Sequence, residues 1–156
     1  EDFNYPIDMH NCPNSNPDRI WRMYSSLYQV DLMRQNYGPY DLVVRCRPDL
    51  SIPISLDLED IRQKINENPN IIYVPQNQHH GFDEHKINDM FAISSPENMK
   101  IYCDVVNRMK EYNITDNIQF HPETILAYHL HKNNIKVEKY PNLDIDLRNK
   151  SFGAWN

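Results

Sequence analysis

YDLVVRCRPDL, residues 40–50, contains the clearest strand pattern in the sequence, followed at once by charged residues and a proline. Its apolar, β-branched centre predicts a short buried strand. Pro48 then forces the chain out of the sheet, because proline has no amide hydrogen and a fixed backbone angle. Side chains alternate along a strand, so Arg45 and Arg47 point the same way, and Asp49 follows them.

These three charged groups predict a ligand at the end of the strand. Two guanidinium groups and a carboxylate are costly to bury without partners. In open α/β sheets, ligands bind at the carboxyl ends of the strands. A diphosphate together with a divalent metal ion would satisfy Arg45, Arg47 and Asp49. The alternative is a structural ion pair between an arginine and the aspartate.

The rest of the chain alternates helices with strands. Asn16, Asp57 and Ser95 are predicted N-caps. We predict helices at 18–36, 58–67, 96–112 and 122–133, and strands at 40–46, 71–74, 90–93 and 135–140. This order predicts an α/β fold with a mostly parallel sheet flanked by helices. Residues 76–87 are polar, and we interpret them and their histidines (His79, His80 and His85) as a solvated loop rather than a zinc site.

Three blocks of the sequence resemble the GT-A type of glycosyltransferase, which uses nucleotide-sugars. They are the Tyr-Asp-x-Val-x-Arg-x-Arg-Pro-Asp block at 40–49, NDMFAISSPENM at 88–99, and FHPE at 120–123. The resemblance is to the group found in large DNA viruses and in bacterial surface-polysaccharide loci. It implies a single GT-A-like (Rossmann-like) domain that transfers a sugar from a nucleotide-sugar donor to a glycan or protein acceptor.

The resemblance also implies a donor site and a metal. An acidic motif at a strand end binds the metal and the donor diphosphate in that fold. In this chain Arg47 stands at the first acidic position, so only Asp49 matches as a ligand for Mn²⁺ or Mg²⁺. Arg45 and Arg47 would share the neutralisation of the leaving diphosphate. His121 is a second candidate metal ligand, with an N-cap as its structural alternative.

The acceptor side of the site is predicted from the second and third blocks. By the resemblance, Asp89 would meet the acceptor hydroxyl or act as general base, and Asn88 could bond to a sugar hydroxyl. Glu123 is the alternative base or a sugar-binding carboxylate. Each carboxylate also has a structural explanation: Asp89 could cap loop amides, and a glutamate suits the first turn of a helix.

Composition narrows the class of partner. The 156 residues suit one domain at 1–156, with an irregular arm at 1–16 and a polar tail at 141–156. The formal charge is −6 and the chain has no block of basic residues, which argues against binding a nucleic-acid duplex. Three glycines cannot form a dinucleotide-binding or P-loop motif.

Cysteine usage and hydropathy point to a compartment. Cys12, Cys46 and Cys103 are an odd set without close spacing, so we predict free thiols and a reducing, cytoplasmic environment, which is the host cytoplasm if the chain is viral. No apolar run is long enough to span a bilayer.

The pattern begins with a helix, whereas the resemblance leads us to expect a strand–helix unit first. We therefore predict a fragment or a reduced member of the group, which associates with itself or with an adjoining domain. The alternative function is a non-catalytic, truncated transferase-fold module that binds a glycan or a partner domain. One helix also carries an aromatic stripe of Trp21, Tyr24 and Tyr28, which we predict to be core, with sugar stacking as the alternative.

Overall fold

The computed structural model describes residues 16–52, 54–77, 80–82 and 85–147. The helices are α1 (Pro17–Tyr37), α2 (Leu58–Glu67), α3 (Pro96–Cys103), α4 (Met109–Ile114) and α5 (Pro122–Lys132). A 3-10 turn (Asp104–Asn107) links α3 to α4. The strands are β1 (Val43–Cys46), β2 (Leu50–Ser51), β3 (Ile71–Val74), β4 (His80–Phe82), β5 (His85–Ile87), β6 (Phe91–Ser94), β7 (Lys136–Lys139) and β8 (Asp146–Leu147).

Side-chain caps fix where three of the helices begin, as predicted. Asn16 accepts from the Arg19 amide before α1, and Asp57 accepts from the Asp60 amide before α2. Ser95 caps α3 in the same way. Proline occupies the first turn of both α1 and α3, where no amide hydrogen is needed.

The central sheet has the strand order β1-β6-β3-β7. β6 runs antiparallel to both β1 and β3, and only β3 and β7 are parallel. The predicted α/β class with flanking helices is confirmed, but the mostly parallel sheet is wrong for these four strands. The reason is the connection from β3 to β6, which contains the β4–β5 hairpin instead of a crossover helix, so the chain returns antiparallel.

Two hydrophobic clusters cover the two faces of this sheet. Alternate residues of β3 enter different clusters: Ile72 and Val74 pack with α1, α3, α4 and α5, whereas Ile71 and Tyr73 pack with α2. All four side chains are buried. Burial on both faces explains why β3 is a continuous apolar run, because neither side of the strand meets water.

Residues 141–147, predicted as part of a polar tail, supply part of the second cluster. Leu143 and Ile145 are at most 1% exposed. They reach the core because Asn77 binds the backbone amide and carbonyl of Ile145, and because β8 pairs with β2. The predicted arm at 1–16 lies outside the described residues except for Asn16, as does the rest of the tail beyond 147.

The long predicted helix at 96–112 is broken. The chain forms α3, the 3-10 turn and α4, with Arg108 between the last two. The Cys46 thiol donates to the Arg47 carbonyl, the Cys103 thiol is buried, and Cys12 lies outside the described residues. No helix in the described ranges is long and apolar enough to cross a membrane.

Candidate functional site

The first two sequence blocks meet at one end of the sheet. β1 and β6 are antiparallel, so the carboxyl end of β1 lies beside the amino end of β6. Arg45 is opposite Ala92, and the Arg47 amide donates to the Met90 carbonyl at 3.1 Å. Asp89 is one residue further along, so this register brings both arginines next to the acidic residue of the second block.

Asp89 is the buried carboxylate of this site. Its exposure is 7%, and burial raises the pKa of its carboxyl group. The positive charges of Arg45, Arg47 and His121 oppose that increase. Desolvation therefore outweighs attraction, and the result is a carboxylate of raised basicity within reach of three cationic or potentially cationic groups. Such perturbed groups are typical of functional sites.

Arg45 is a half-buried cation whose hydrogen-bonding capacity is not used up. Its Nη1 is buried and has no hydrogen-bond partner in the part of the chain that the structure describes. A buried donor of a charged group is costly when it is left unsatisfied. An anionic ligand oxygen would supply the missing acceptor, and guanidinium groups are well suited to bind phosphate.

The side chains of Arg47 and Asp49 bind each other through two hydrogen bonds, and we call them the closed pair. Nε and Nη2 of Arg47 donate to the two carboxylate oxygens of Asp49, at 3.0 and 2.6 Å. This contact lowers the pKa of the Asp49 carboxyl group and raises that of the Arg47 guanidinium group. The side chains are 41% and 38% exposed. The alternative of a structural ion pair, which the sequence left open, is thus the observed contact.

The third block reaches the same site from the start of α5. His121 Nδ1 lies 3.0 Å from Glu123 Oε2. His121 acts electrostatically on Asp89, and the charge of Glu123 reaches the buried hydroxyl of Tyr24. His121 occupies the N-cap position of α5, but its side chain makes no cap hydrogen bond there. Its contact with Glu123 replaces that structural role.

Two buried tyrosines anchor this site, namely Tyr24, which was predicted only as a core residue, and Tyr102, to which the sequence analysis gave no role. Tyr102 of α3 donates its hydroxyl to the Asp89 carbonyl at 3.1 Å. Tyr24 of α1 donates to the Pro122 carbonyl at 2.9 Å. Both side chains are fully buried. A buried tyrosine needs a partner for its hydroxyl group, so this rule was the available signal that the aromatic stripe holds a loop as well as filling the core.

Asn88 is buried and its amide is occupied. Its Nδ2 donates to the Asn77 carbonyl at 3.0 Å, and its Oδ1 accepts from the Met90 amide at 2.8 Å. These bonds hold the turn that presents Asp89. Each end of the amide thus has one backbone partner, and the acceptor-binding role of Asn88 stays a prediction.

The predicted metal ligands do not form a donor set. In residues 16–52, 54–77, 80–82 and 85–147, no three His, Cys, Asp or Glu side chains lie together as a metal site. Asp49 accepts both of its bonds from Arg47, and His121 contacts Glu123. The side chains of His79, His80 and His85 are outside what the structure describes.

Comparisons with family models, with curated proteins and with solved structures found no match for this chain.

Proposed function

We propose that this chain transfers a sugar from a nucleoside-diphosphate donor to a hydroxyl group of a glycan or a protein. The observation that carries the proposal is the buried Nη1 of Arg45, which has no hydrogen-bond partner among the described residues, on a guanidinium group whose charge partly opposes the rise that burial causes in the pKa of Asp89. A cation that lacks an acceptor, next to a carboxylate of raised basicity, supplies an anion site and a base together.

The proposed transfer uses Asp89 as the base. The acceptor oxygen bonds to the anomeric carbon of the donor, while the bond from that carbon to the diphosphate oxygen breaks. The electron pair leaves with the nucleoside diphosphate, and the acceptor proton moves to the Asp89 carboxylate. Arg45 faces the negative charge that develops on the leaving group, and Arg47 adds a second positive charge.

Glu123 is the alternative base. It contacts His121 at 3.0 Å, so it also has a partner that would stabilise its ionised form. Asp89 is preferred because the charges of both arginines act on it. In this arrangement Glu123 is a sugar-binding carboxylate at the start of α5.

Metal dependence remains a prediction from the resemblance. Each oxygen of Asp49 accepts one bond from Arg47 and keeps a lone pair that could bind Mn²⁺ or Mg²⁺, but the adjacent guanidinium charge would oppose a cation there. We therefore assign the neutralisation of the diphosphate to Arg45 and Arg47. Turnover measured with EDTA, and again with added Mn²⁺, decides whether a cation is also needed.

The closed pair favours a second function. If Asp49 keeps offsetting the charge of Arg47 when a ligand is present, the two arginines attract a diphosphate less strongly than two unpaired guanidinium groups would. The chain would then be a non-catalytic module that binds a glycan or a partner domain. Binding without turnover separates the two functions.

The test is titration calorimetry with UDP and GDP, followed by turnover with a panel of nucleotide-sugars and oligosaccharide acceptors. Arg45→Met should abolish diphosphate binding, because it removes the unsatisfied donor. Arg62→Met is the matched control, since Arg62 lies on α2 and pairs with Glu59. Unchanged binding in Arg45→Met would overturn the proposed donor site, and binding without turnover of any sugar would favour the module.

A further inference from the structure

A groove of about 400 Å³ runs along the side of α1, where that helix meets the 3-10 turn. Its volume lies within the range of ~300–1,000 Å³ that is usual for ligand pockets. The residues used in the argument are Trp21, Ser25, Tyr28, Gln29, Val106 and Asn107. This groove is separate from the Tyr24 side of α1, which faces the candidate site through the bond to Pro122.

The aromatic stripe of α1 is therefore split by the structure. Tyr24 is fully buried, whereas Trp21 and Tyr28 are half-buried. Both pack against the first hydrophobic cluster and also line the groove. Trp21 and Tyr28 are two helical turns apart, so they lie on the same side of α1, with Ser25 between them. The groove thus has two aromatic side chains along one wall.

The polar side chains that line the groove are uncharged except for Arg22. Ser25, Gln29 and Asn107 contribute hydroxyl and amide groups. Arg22, which also lines the groove, bonds to Asp18 at 2.9 Å, so its charge is balanced. A phosphate or carboxylate ligand would find no uncompensated cation among these side chains.

We propose that this groove binds a neutral oligosaccharide. A pyranose ring has an apolar C–H face, which packs on an aromatic side chain, and a rim of hydroxyl groups, which bond to amides and hydroxyls. Trp21 and Tyr28 suit the first surface, and the polar groups of Gln29 and its neighbours suit the second. The proposal goes beyond sugar transfer and does not depend on it, because it requires binding alone.

The experiment is titration calorimetry of the chain with neutral hexasaccharides of glucose (α- and β-linked) and of mannose. A hexamer of galacturonic acid is the charged comparison. We expect saturable binding of at least one neutral series and weaker binding of the acidic hexamer. Tryptophan emission in a Trp155→Phe background reports Trp21 alone, since the sequence has two tryptophans, and it should shift on binding.

Three variants test the location. Trp21→Ala should abolish binding, and Gln29→Ala should weaken it about three- to tenfold through lost hydrogen bonds. Tyr37→Ala is the matched control, because this exposed aromatic of α1 does not line the groove, and it should bind normally. Thermal unfolding checks each fold. If Trp21→Ala is unfolded, the affinity of Gln29→Ala for the oligosaccharide tests the location of the site instead. Binding that neither variant weakens, no neutral binding in the wild type, or equal binding of the acidic hexamer would overturn the proposal.

Discussion

Buried polar groups lie near both ends of helix α5, and the two groups differ in how fully they are hydrogen-bonded. Near its end, the imidazole of His129 lies 2.8 Å from the Tyr112 hydroxyl and 2.8 Å from the Ile101 carbonyl. A carbonyl only accepts, so Nε2–H donates to Ile101, and Nδ1 accepts from Tyr112. Both ring nitrogens are satisfied by protein groups.

At the start of α5 the polar groups have capacity left for a ligand. Here the buried Nη1 of Arg45 has no acceptor within the described residues, and Asp89 is buried with a raised pKa. A closed network, in which every buried polar group is hydrogen-bonded, costs little free energy to bury and fixes one arrangement of side chains. An open network, in which a buried polar group lacks a partner, costs free energy that packing does not offset. We infer from this difference that the His129 network is structural, and that a ligand would bind at the Arg45–Asp89 edge of the sheet.

The largest effect is expected at the open network. Asp89→Asn keeps the size of the side chain and removes its basicity, so turnover should fall by about 10²–10⁴-fold, the usual contribution of a general base. The acid limb of the pH–rate profile should disappear with it. Because burial raises the pKa of this carboxyl group, that limb in the wild type should lie above the ordinary pKa of aspartate.

The control for this change is Asp57→Asn. Asp57 caps α2, and asparagine is an equally good N-cap, so neither turnover nor stability should change. Full turnover in Asp89→Asn would remove this residue from the chemistry and turn attention to Glu123.

The closed network should show its effect in stability instead. Tyr112→Phe keeps the ring and deletes the hydroxyl, which leaves the buried Nδ1 of His129 without a donor. We expect a loss of about 1–3 kcal/mol in the free energy of unfolding, measured by urea denaturation. Tyr128→Phe, whose hydroxyl donates to Asp116, should cost less because Lys132 still pairs with that carboxylate. Equal losses in the two variants would contradict the comparison.

The sequence predicts the elements of this molecule better than their arrangement. Residues 71–74 and 58–67 come out as predicted, because a strand buried on both faces reads as an apolar run and α2 has a clear N-cap. The antiparallel direction of β6 was not predicted, because the alternation of helices and strands in the sequence gives no information about a connection that lacks a helix. Leu143 and Ile145 were missed because their polar neighbours conceal two isolated core residues.

Most residues of the candidate site were predictable from the sequence, but the hydrogen bonds that they make were not. The resemblance singled out Arg45, Asp89 and Glu123, and the register of β1 against β6 explains why the first two meet. The pairing of Arg47 with Asp49 was the structural alternative that the sequence left open, and the structure has that contact in the turn between β1 and β2. The partners of the Tyr24 and Tyr102 hydroxyls depend on contacts distant in sequence, which no local pattern contains.

A smaller effect is expected in the pH dependence of stability, and it comes from His129, near the end of α5. Burial lowers the pKa of His129, against the opposing influence of its bond to Ile101 and of Asp104, while Arg108 adds to the decrease. Below the ordinary histidine pKa of about 6.5, the unfolded chain takes up a proton that the folded chain refuses. Stability should therefore decrease as the pH falls from about 6.5 toward the lower folded-state pKa.

Urea denaturation of the wild type and of His129→Gln at pH 8 and at pH 5.5 checks this prediction. The loss of stability on acidification should be smaller in the variant, because the difference between the two chains isolates His129 from the other histidines. The same acid dependence in both chains would assign the effect to another residue.

The smallest effect on stability is expected at the exposed pair beside the open network. Arg47 and Asp49 are about two-fifths exposed, so water and salt screen their attraction. Asp49→Ala should leave the midpoint of thermal unfolding where it is, as should the control Asp60→Asn, which breaks the similarly exposed pair with Lys64. Diphosphate binding should nonetheless weaken in Asp49→Ala alone, because Arg47 is then no longer held at the end of β1. A large decrease in the midpoint would make the pair a structural element, comparable to the His129 network, and would leave Arg45 as the single arginine that awaits a ligand at this edge.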